Sequence, residues 1–289
     1  MRTLLGQCLF LASLLPAWCG AQTYQALSLP SADGTELKAW LIHPAFVPAE
    51  QPRPVVLALH GCGGLYATQG SRRGQLNARH DGMARVLMAQ GYSVLFPDSF
   101  STRGESSLCT QKIRDRKVRP THRRDDVTGA LTWLTRQSWV DAQKIALLGW
   151  SHGGSAVLAA TDANDTVVST RTVQPSLAIA FYPGCRDALK AGYRPSAPLL
   201  MLLGELDDWT PAAPCVDLAR RVHAKAVVFP DSHHDFDNPV GTVKLRADVP
   251  NGEHPGKGVH AGRNPVTGPQ AWKMVVETLA LGWSPDPQK

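Results

Sequence analysis

Apolar residues fall along this chain in short unbroken runs, separated by stretches in which they recur every three or four positions. Val55 to His60, Ser93 to Phe96, Ile145 to Leu148, Leu177 to Phe181, Leu199 to Leu203 and Ala226 to Phe229 read as buried strands of a parallel sheet. Between the first two, Asn77 to Gln90 sets Met83, Val86, Leu87 and Met88 on one broad face and stops at Gly91, which predicts a helix. Asp126 to Thr135, Ser151 to Ala160, Cys215 to His223 and Trp272 to Leu281 read as further helices. Tyr24 to Leu29 and Leu37 to His43, joined at Asp33-Gly34, read as an antiparallel pair at one edge.

Strands alternating with helices predict an α/β fold: a mostly parallel sheet flanked by helices on both faces. No repeat, low-complexity block or linker divides the chain, so residues 22–289 are expected to form one domain. Two connections are longer than packing needs, Ser99 to Arg124 and Asp237 to Gln270. Both leave the sheet near its carboxyl edge, where ligands bind in such folds, and they are expected to wall a cleft.

The first 21 residues break the pattern. Arg2 precedes the apolar run Leu4 to Trp18, and Cys19-Gly20-Ala21 supplies small residues before Gln22. A charged segment, a short apolar segment and a small-residue cleavage point are the marks of an export signal. An uncleaved anchor, a buried first helix and a lipoprotein are the other readings; the run is short for a membrane span, and Trp18 is bulky beside a lipidated Cys19. A periplasmic or secreted protein is expected, with no membrane span once the signal is removed.

Export changes how the cysteines read. The mature chain keeps Cys62, Cys109, Cys185 and Cys215, and four cysteines in an oxidising compartment allow two disulfides in three pairings. Cys62–Cys109 and Cys185–Cys215 are the expected pairs, because each joins loops leaving neighbouring strands at the same end of the sheet.

The formal net charge of +6 is clustered in K-I-R-D-R-K-V-R-P-T-H-R-R, Lys112 to Arg124. Such a run can dock a polyanion. Asp115, Asp125 and Asp126 are interspersed with or adjoin it and no aromatic residue interleaves it, so a solvated loop is expected and nucleic acid is not.

Candidate chemistry is concentrated at strand ends. Gly149-Trp150-Ser151-His152-Gly153 is G-x-S-x-G between an expected strand and an expected helix, the setting of a nucleophile elbow. Serine needs a base, and the base an orienting acid, each following a later strand. The strand ending at Leu203 leads into Gly204-Glu205-Leu206-Asp207-Asp208, where Asp207 is the expected acid and Asp208 a turn or cap residue. The last strand leads into His233-His234-Asp235-Phe236, which offers two histidines for the base. A metal held by His233, His234, Asp235 and Asp237 is the rival reading; it is set aside because adjacent histidines seldom converge on one ion, and no metal or cofactor is expected. His60-Gly61-Cys62-Gly63-Gly64 follows an earlier strand, and the Cys62 and His152 amides are the expected oxyanion donors. Arg103 reads as loop support or, second, as an anchor for a substrate carboxylate.

The segments L-H-G-C-G-G, F-P-D-S-F-S-T-R-G-E, G-W-S-H-G-G, G-E-L-D-D-W-T-P and S-H-H-D-F together resemble the dienelactone hydrolase family of α/β-hydrolases, across nearly all of the mature chain. The resemblance implies the α/β-hydrolase fold, Asp207 as acid (three residues after its glycine) and His234 as base (two before phenylalanine). The family's namesake carries cysteine at the elbow where this chain has Ser151. A small-molecule ester or lactone is therefore the implied substrate and a serine carboxylesterase the implied activity. Two alternatives stand beside it: a prolyl-oligopeptidase-like peptidase, and a non-catalytic polyanion-binding protein on a hydrolase scaffold.

Overall fold

The computed structural model describes residues 23–48 and 51–284, so the expected signal segment lies outside the described residues. Eight strands form one sheet: β1 (Thr23–Pro30), β2 (Glu36–His43), β3 (Arg53–Leu59), β4 (Ser93–Pro97), β5 (Val140–Trp150), β6 (Leu177–Phe181), β7 (Leu199–Gly204) and β8 (Lys225–Phe229). Their order is β1-β2-β4-β3-β5-β6-β7-β8. β1 pairs antiparallel with β2, and β2 with β4; every later pairing is parallel. A separate two-stranded ribbon joins β9 (Lys244–Arg246) to β10 (Val259–Ala261) inside the long loop before the last helix.

The helices are α1 (Ala78–Met88), α2 (Pro120–Leu134), α3 (His152–Ala160), α4 (Thr166–Ser169), α5 (Arg186–Ala191), α6 (Ala212–Val222) and α7 (Thr267–Trp283). The two-residue period of the central strands feeds a core on each face. Val55, Leu57 and Leu59 of β3, with Ile145 and Leu147 of β5, pack toward α2, α3 and α6. Val56, Ala58, Ala146, Leu148 and Trp150 pack on the other side toward α1 and α7. A mostly parallel sheet in this order, covered on both faces, is the α/β-hydrolase fold. No helix among the described residues is long and apolar enough to cross a membrane.

Several elements differ from the sequence expectation: β5 begins at Val140, α6 at Ala212, and α4, α5, β9 and β10 are additional. The helix expected from Asp126 begins six residues earlier at Pro120, inside the basic run; a proline at the first helical position gives up no intrahelical bond. The closing helix likewise starts at Thr267 rather than Trp272. β8, expected as a buried strand, is an edge, and its Val228 is exposed because only β7 lies beside it.

Both disulfides pair neighbouring strand ends. Cys62–Cys109 links the loops after β3 and β4, with Cα atoms 5.0 Å apart; Cys185–Cys215 links the start of α5 to the first turn of α6, at 5.1 Å.

Candidate active site

Ser151 sits between the end of β5 and the start of α3 at φ 54° and ψ −114°, a conformation strained for a residue with a side chain. Two glycines make the turn sterically possible. A Cβ at Gly149 would lie 2.3 Å from the Gly153 carbonyl oxygen, and one at Gly153 would lie 2.0 Å from that of Leu59. The Ser151 amide donates to the Phe181 carbonyl at 2.9 Å, tying the turn to β6. The helix that follows directs its free first-turn amides toward the same space.

The structure brings Ser151, His234 and Asp207 together across 83 and 27 residues of sequence. Ser151 Oγ lies 2.9 Å from His234 Nε2, and His234 Nδ1 lies 2.8 Å from Asp207 Oδ2. Asp207 Oδ1 accepts the Trp209 and Thr210 amides at 2.9 and 2.8 Å, which fixes the carboxylate. With Nδ1–H donated to Asp207, Nε2 is left to accept the serine proton. The His234 ring is buried between Tyr182 and Trp209, with centroids at 4.5 and 4.6 Å. Burial alone would lower its pKa, but the Asp207 charge and hydrogen bond outweigh burial and hold it above the ordinary value of 6.5.

The neighbours of these residues do other work. His233 turns the opposite way from His234 and donates Nδ1–H to the Leu206 carbonyl at 2.9 Å. Asp235 pairs with Arg79 at 2.7 Å. Asp237 Oδ2 accepts the indole N–H groups of Trp150 at 2.8 Å and Trp272 at 3.1 Å, while its Oδ1 accepts the Tyr182 hydroxyl at 2.5 Å. His233, His234, Asp235 and Asp237 thus bond different partners and do not converge as one set. Arg103 is loop support: it spans Asp126 at 2.7 Å and Asp33 at 2.8 Å and donates to the Ser99 carbonyl at 2.9 Å.

Gly61 packs against the elbow, where an added Cβ would stand 3.7 Å from that of Ser151, and Cys62 follows it into the cleft. Behind this loop stands a residue the sequence reading passed over as part of a solvated run. Arg123 is fully buried, donates Nη1 to the His60 carbonyl at 2.7 Å and to His152 Nδ1 at 3.2 Å, and donates Nε to Ser99 Oγ at 3.2 Å. Burial lowers its pKa to about 10, partly offset by Asp126 and Asp98. Burial first, then the Arg123 charge, keeps the His152 imidazole well below its usual range and therefore neutral. The only local signal was its helical phase with Val127, Ala130 and Leu134, visible once the helix is known to begin at Pro120.

Two clefts meet at Ser151. One, of about 500 Å³, runs past Arg79, Asn238 and Arg246; the other, of about 880 Å³, runs past Arg116, Tyr193 and Arg186. Cys62, Ser151 and Trp209 line both, so a scissile group at the serine has a pocket on either side. The two long loops do supply wall residues, as does the Gly61 to Gly64 loop; the stretch from Ala67 to His80 adds a wall beyond those expected.

The fold is that of an α/β-hydrolase. Residues 42–280 match the dienelactone hydrolase family, and the chain belongs to that family. Among solved structures it is similar to the dienelactone hydrolase-like promiscuous phosphotriesterase P91 from metagenomic libraries: 20% identity, 91% of this chain and 99% of that one, TM-score 0.64. It is similar also to Thermogutta terrifontis esterase 2 phosphorylated by paraoxon, at 17% identity, 91% and 96% coverage and TM-score 0.62. Porphyromonas gingivalis dipeptidyl peptidase 4 shares the fold at 18% identity and TM-score 0.54; 74% of this chain covers 32% of that one. No curated protein sequence matches the chain.

Proposed function

We propose that this chain is an exported serine hydrolase, a carboxylesterase of small esters or lactones working through Ser151, His234 and Asp207. The observation that carries the reading is the hydrogen-bonded chain from Asp207 through His234 to Ser151, at 2.8 and 2.9 Å, ending at a strained serine where two clefts meet.

In this reading Ser151 Oγ attacks the ester carbonyl carbon as its proton passes to His234 Nε2. Asp207 stabilises the imidazolium and holds its tautomer. The carbonyl oxygen becomes an oxyanion held by the Cys62 and His152 amides. The C–O bond to the alcohol then breaks, and the alcohol leaves with the proton from His234. Water enters, gives its proton to the same nitrogen, and attacks the acyl-enzyme; collapse returns the proton to Ser151 and releases the acid. The amide of His152 stands at the first turn of α3, where the helix dipole adds to the stabilisation.

Export belongs to the same proposal, with residues 1–21 as signal and the remainder as one domain. The two disulfides support an oxidising destination, periplasmic or extracellular.

The test is a panel of p-nitrophenyl acetate, p-nitrophenyl butyrate and small lactones, with Ser151→Ala as control. Turnover by wild type and its loss in the variant is the expected result. Equal inactivity of both across esters and small amides would sink the reading. Paraoxon, which modifies the similar esterase, is a second probe: a mass increase localised to Ser151 is expected.

A further inference from the structure

The two adjacent histidines face opposite sides of the same loop, and only His234 takes part in the site described above. The outward His233 donates Nδ1–H to the Leu206 carbonyl at 2.9 Å, so its Nε2 lone pair is free. Its ring centroid lies 5.3 Å from that of His260, on β10. Asp208 completes the group: its Oδ2 accepts His260 Nδ1–H at 2.7 Å, and its Oδ1 accepts the His260 amide at 2.7 Å. One ligand-type atom from each of the three lies within 4.8 Å of the others.

We propose that Asp208, His233 and His260 form a binding site for a divalent transition-metal ion of the zinc class, behind the hydrolytic site. Two imidazoles and one carboxylate are a donor set of open zinc sites, and the nitrogen donors select against magnesium and calcium, which take oxygen. Ligation at about 2.0 Å in tetrahedral geometry puts donor atoms roughly 3.3 Å apart. One donor atom from each group already lies within 4.8 Å of the others, and a metal taken up at His260 Nδ1 would displace the proton shared with Asp208.

Two of the three ligands, His233 and Asp208, are already oriented by a second bond. The Leu206 carbonyl fixes the His233 tautomer, as outer partners of metal-bound histidines commonly do. The His260 amide holds the Asp208 carboxylate, whose oxygens each keep another lone pair. The side chains of His260 and Asp208 are 46% and 28% exposed, which leaves an entry path and room for water as a fourth ligand. As an ion pair alone, Asp208–His260 at that exposure contributes little to stability.

The location gives the ion a structural effect. It joins the loop after β7 to the loop after β8 and to the β9–β10 ribbon, through residues at positions 208, 233 and 260. Asp208 directly follows Asp207, and His233 directly precedes His234. An ion here therefore ties down the two loops that carry those residues.

The test is titration of the tag-free, EDTA-treated and desalted protein with ZnCl2, by calorimetry and thermal unfolding, with MgCl2 as comparison. Expected are one bound Zn2+ per chain and a Tm rise of several degrees, with no response to Mg2+. His260→Ala and His233→Ala should each weaken Zn2+ binding at least tenfold. His233→Ala removes the bond to Leu206 and the ring contact with His260 but leaves the Asp208–His260 pair intact, so it serves if loss of His260 disturbs the ribbon; metal-free Tm and circular dichroism check both variants. Absence of saturable Zn2+ binding in wild type would overturn the proposal, as would undiminished binding in the double variant. The readout requires no turnover, so it stands or falls separately from the esterase reading.

Discussion

Arg123 donates Nη1 to the carbonyl oxygen of His60 at 2.7 Å, joining a fully buried guanidinium on α2 to the loop that faces Ser151. The same nitrogen reaches His152, the residue after Ser151, at 3.2 Å. One side chain thus holds both segments from which the oxyanion donors are proposed to come.

Arg123→Met should keep much of the volume while leaving the His60 carbonyl and Ser99 hydroxyl without their donor. A loss of about 1–3 kcal/mol is expected from the unsatisfied groups. Because the oxyanion amides lose their support, kcat should fall at least tenfold with KM changed little. Urea unfolding and steady-state ester kinetics measure the two effects; wild-type kcat in a folded variant would remove Arg123 from any positioning role.

The conformation of Ser151 predicts a trade between stability and turnover. At φ 54° and ψ −114° a side chain carries strain of about 1–3 kcal/mol, which glycine avoids at some cost in unfolded-chain entropy. Ser151→Gly should therefore unfold at a higher denaturant concentration, by about 1 kcal/mol, with esterase activity lost. Ser151→Ala keeps the strain and should show no such gain. Equal stability of the two variants would contradict this account.

The two disulfides should separate by function. Replacing either pair with serine should cost about 2–4 kcal/mol by releasing the unfolded chain. Cys62–Cys109 borders the cleft beside Ser151 and packs with Trp209, which lies against the His234 ring. Its loss should lower kcat/KM in protein that is still folded. Cys185–Cys215 joins α5 to α6 and reaches the larger cleft through Cys185 but does not pack with Trp209, so its loss should reduce Tm with less effect on kcat/KM.

Stability should fall as pH drops below neutrality. Burial depresses His80 to about 3, and burial followed by the Arg123 charge holds His60 and His152 well below 6.5. Above pH 6.5 these residues are neutral in both states and contribute no pH dependence. Below it the unfolded chain takes up protons that the folded chain refuses, at about 1.4 kcal/mol per proton per pH unit. His234 works in the opposite sense, since its raised pKa favours the folded state at low pH, but it is one group against four, burial also lowering His43. Denaturation midpoints at pH 7, 6 and 5 should therefore decrease in order, with net proton uptake on unfolding; a flat or rising series would refute the assignment.

Much of this protein was legible in the order of its residues. Runs such as Val55 to Leu59 and Leu199 to Leu203 are short, β-branched or leucine-rich, and apolar on both faces, so only a covered parallel sheet accommodates them. The glycines at 149 and 153 mark a turn that tolerates no side chain, because the strand-to-helix reversal presses their backbone onto other carbonyls. Asp207 could be expected because it follows a strand end, and strand ends converge on one edge; the last strand end offered His233 and His234 alike, and the choice of His234 rested on the family resemblance.

The tertiary structure decided what local pattern could not. Helix α2 begins at Pro120 among charges that resemble a solvated loop, and only its packing reveals Arg123 as a buried support. β9 and β10 are three residues each, too short to have a signature, and exist because each supplies the other's hydrogen bonds. Their pairing carries His260 to Asp208, 52 residues away in sequence. His233 and His234 are adjacent in sequence, yet one meets Ser151 and the other turns outward. Chemical type and spacing follow from the chain's own order, whereas burial and facing depend on which distant segments close around a residue.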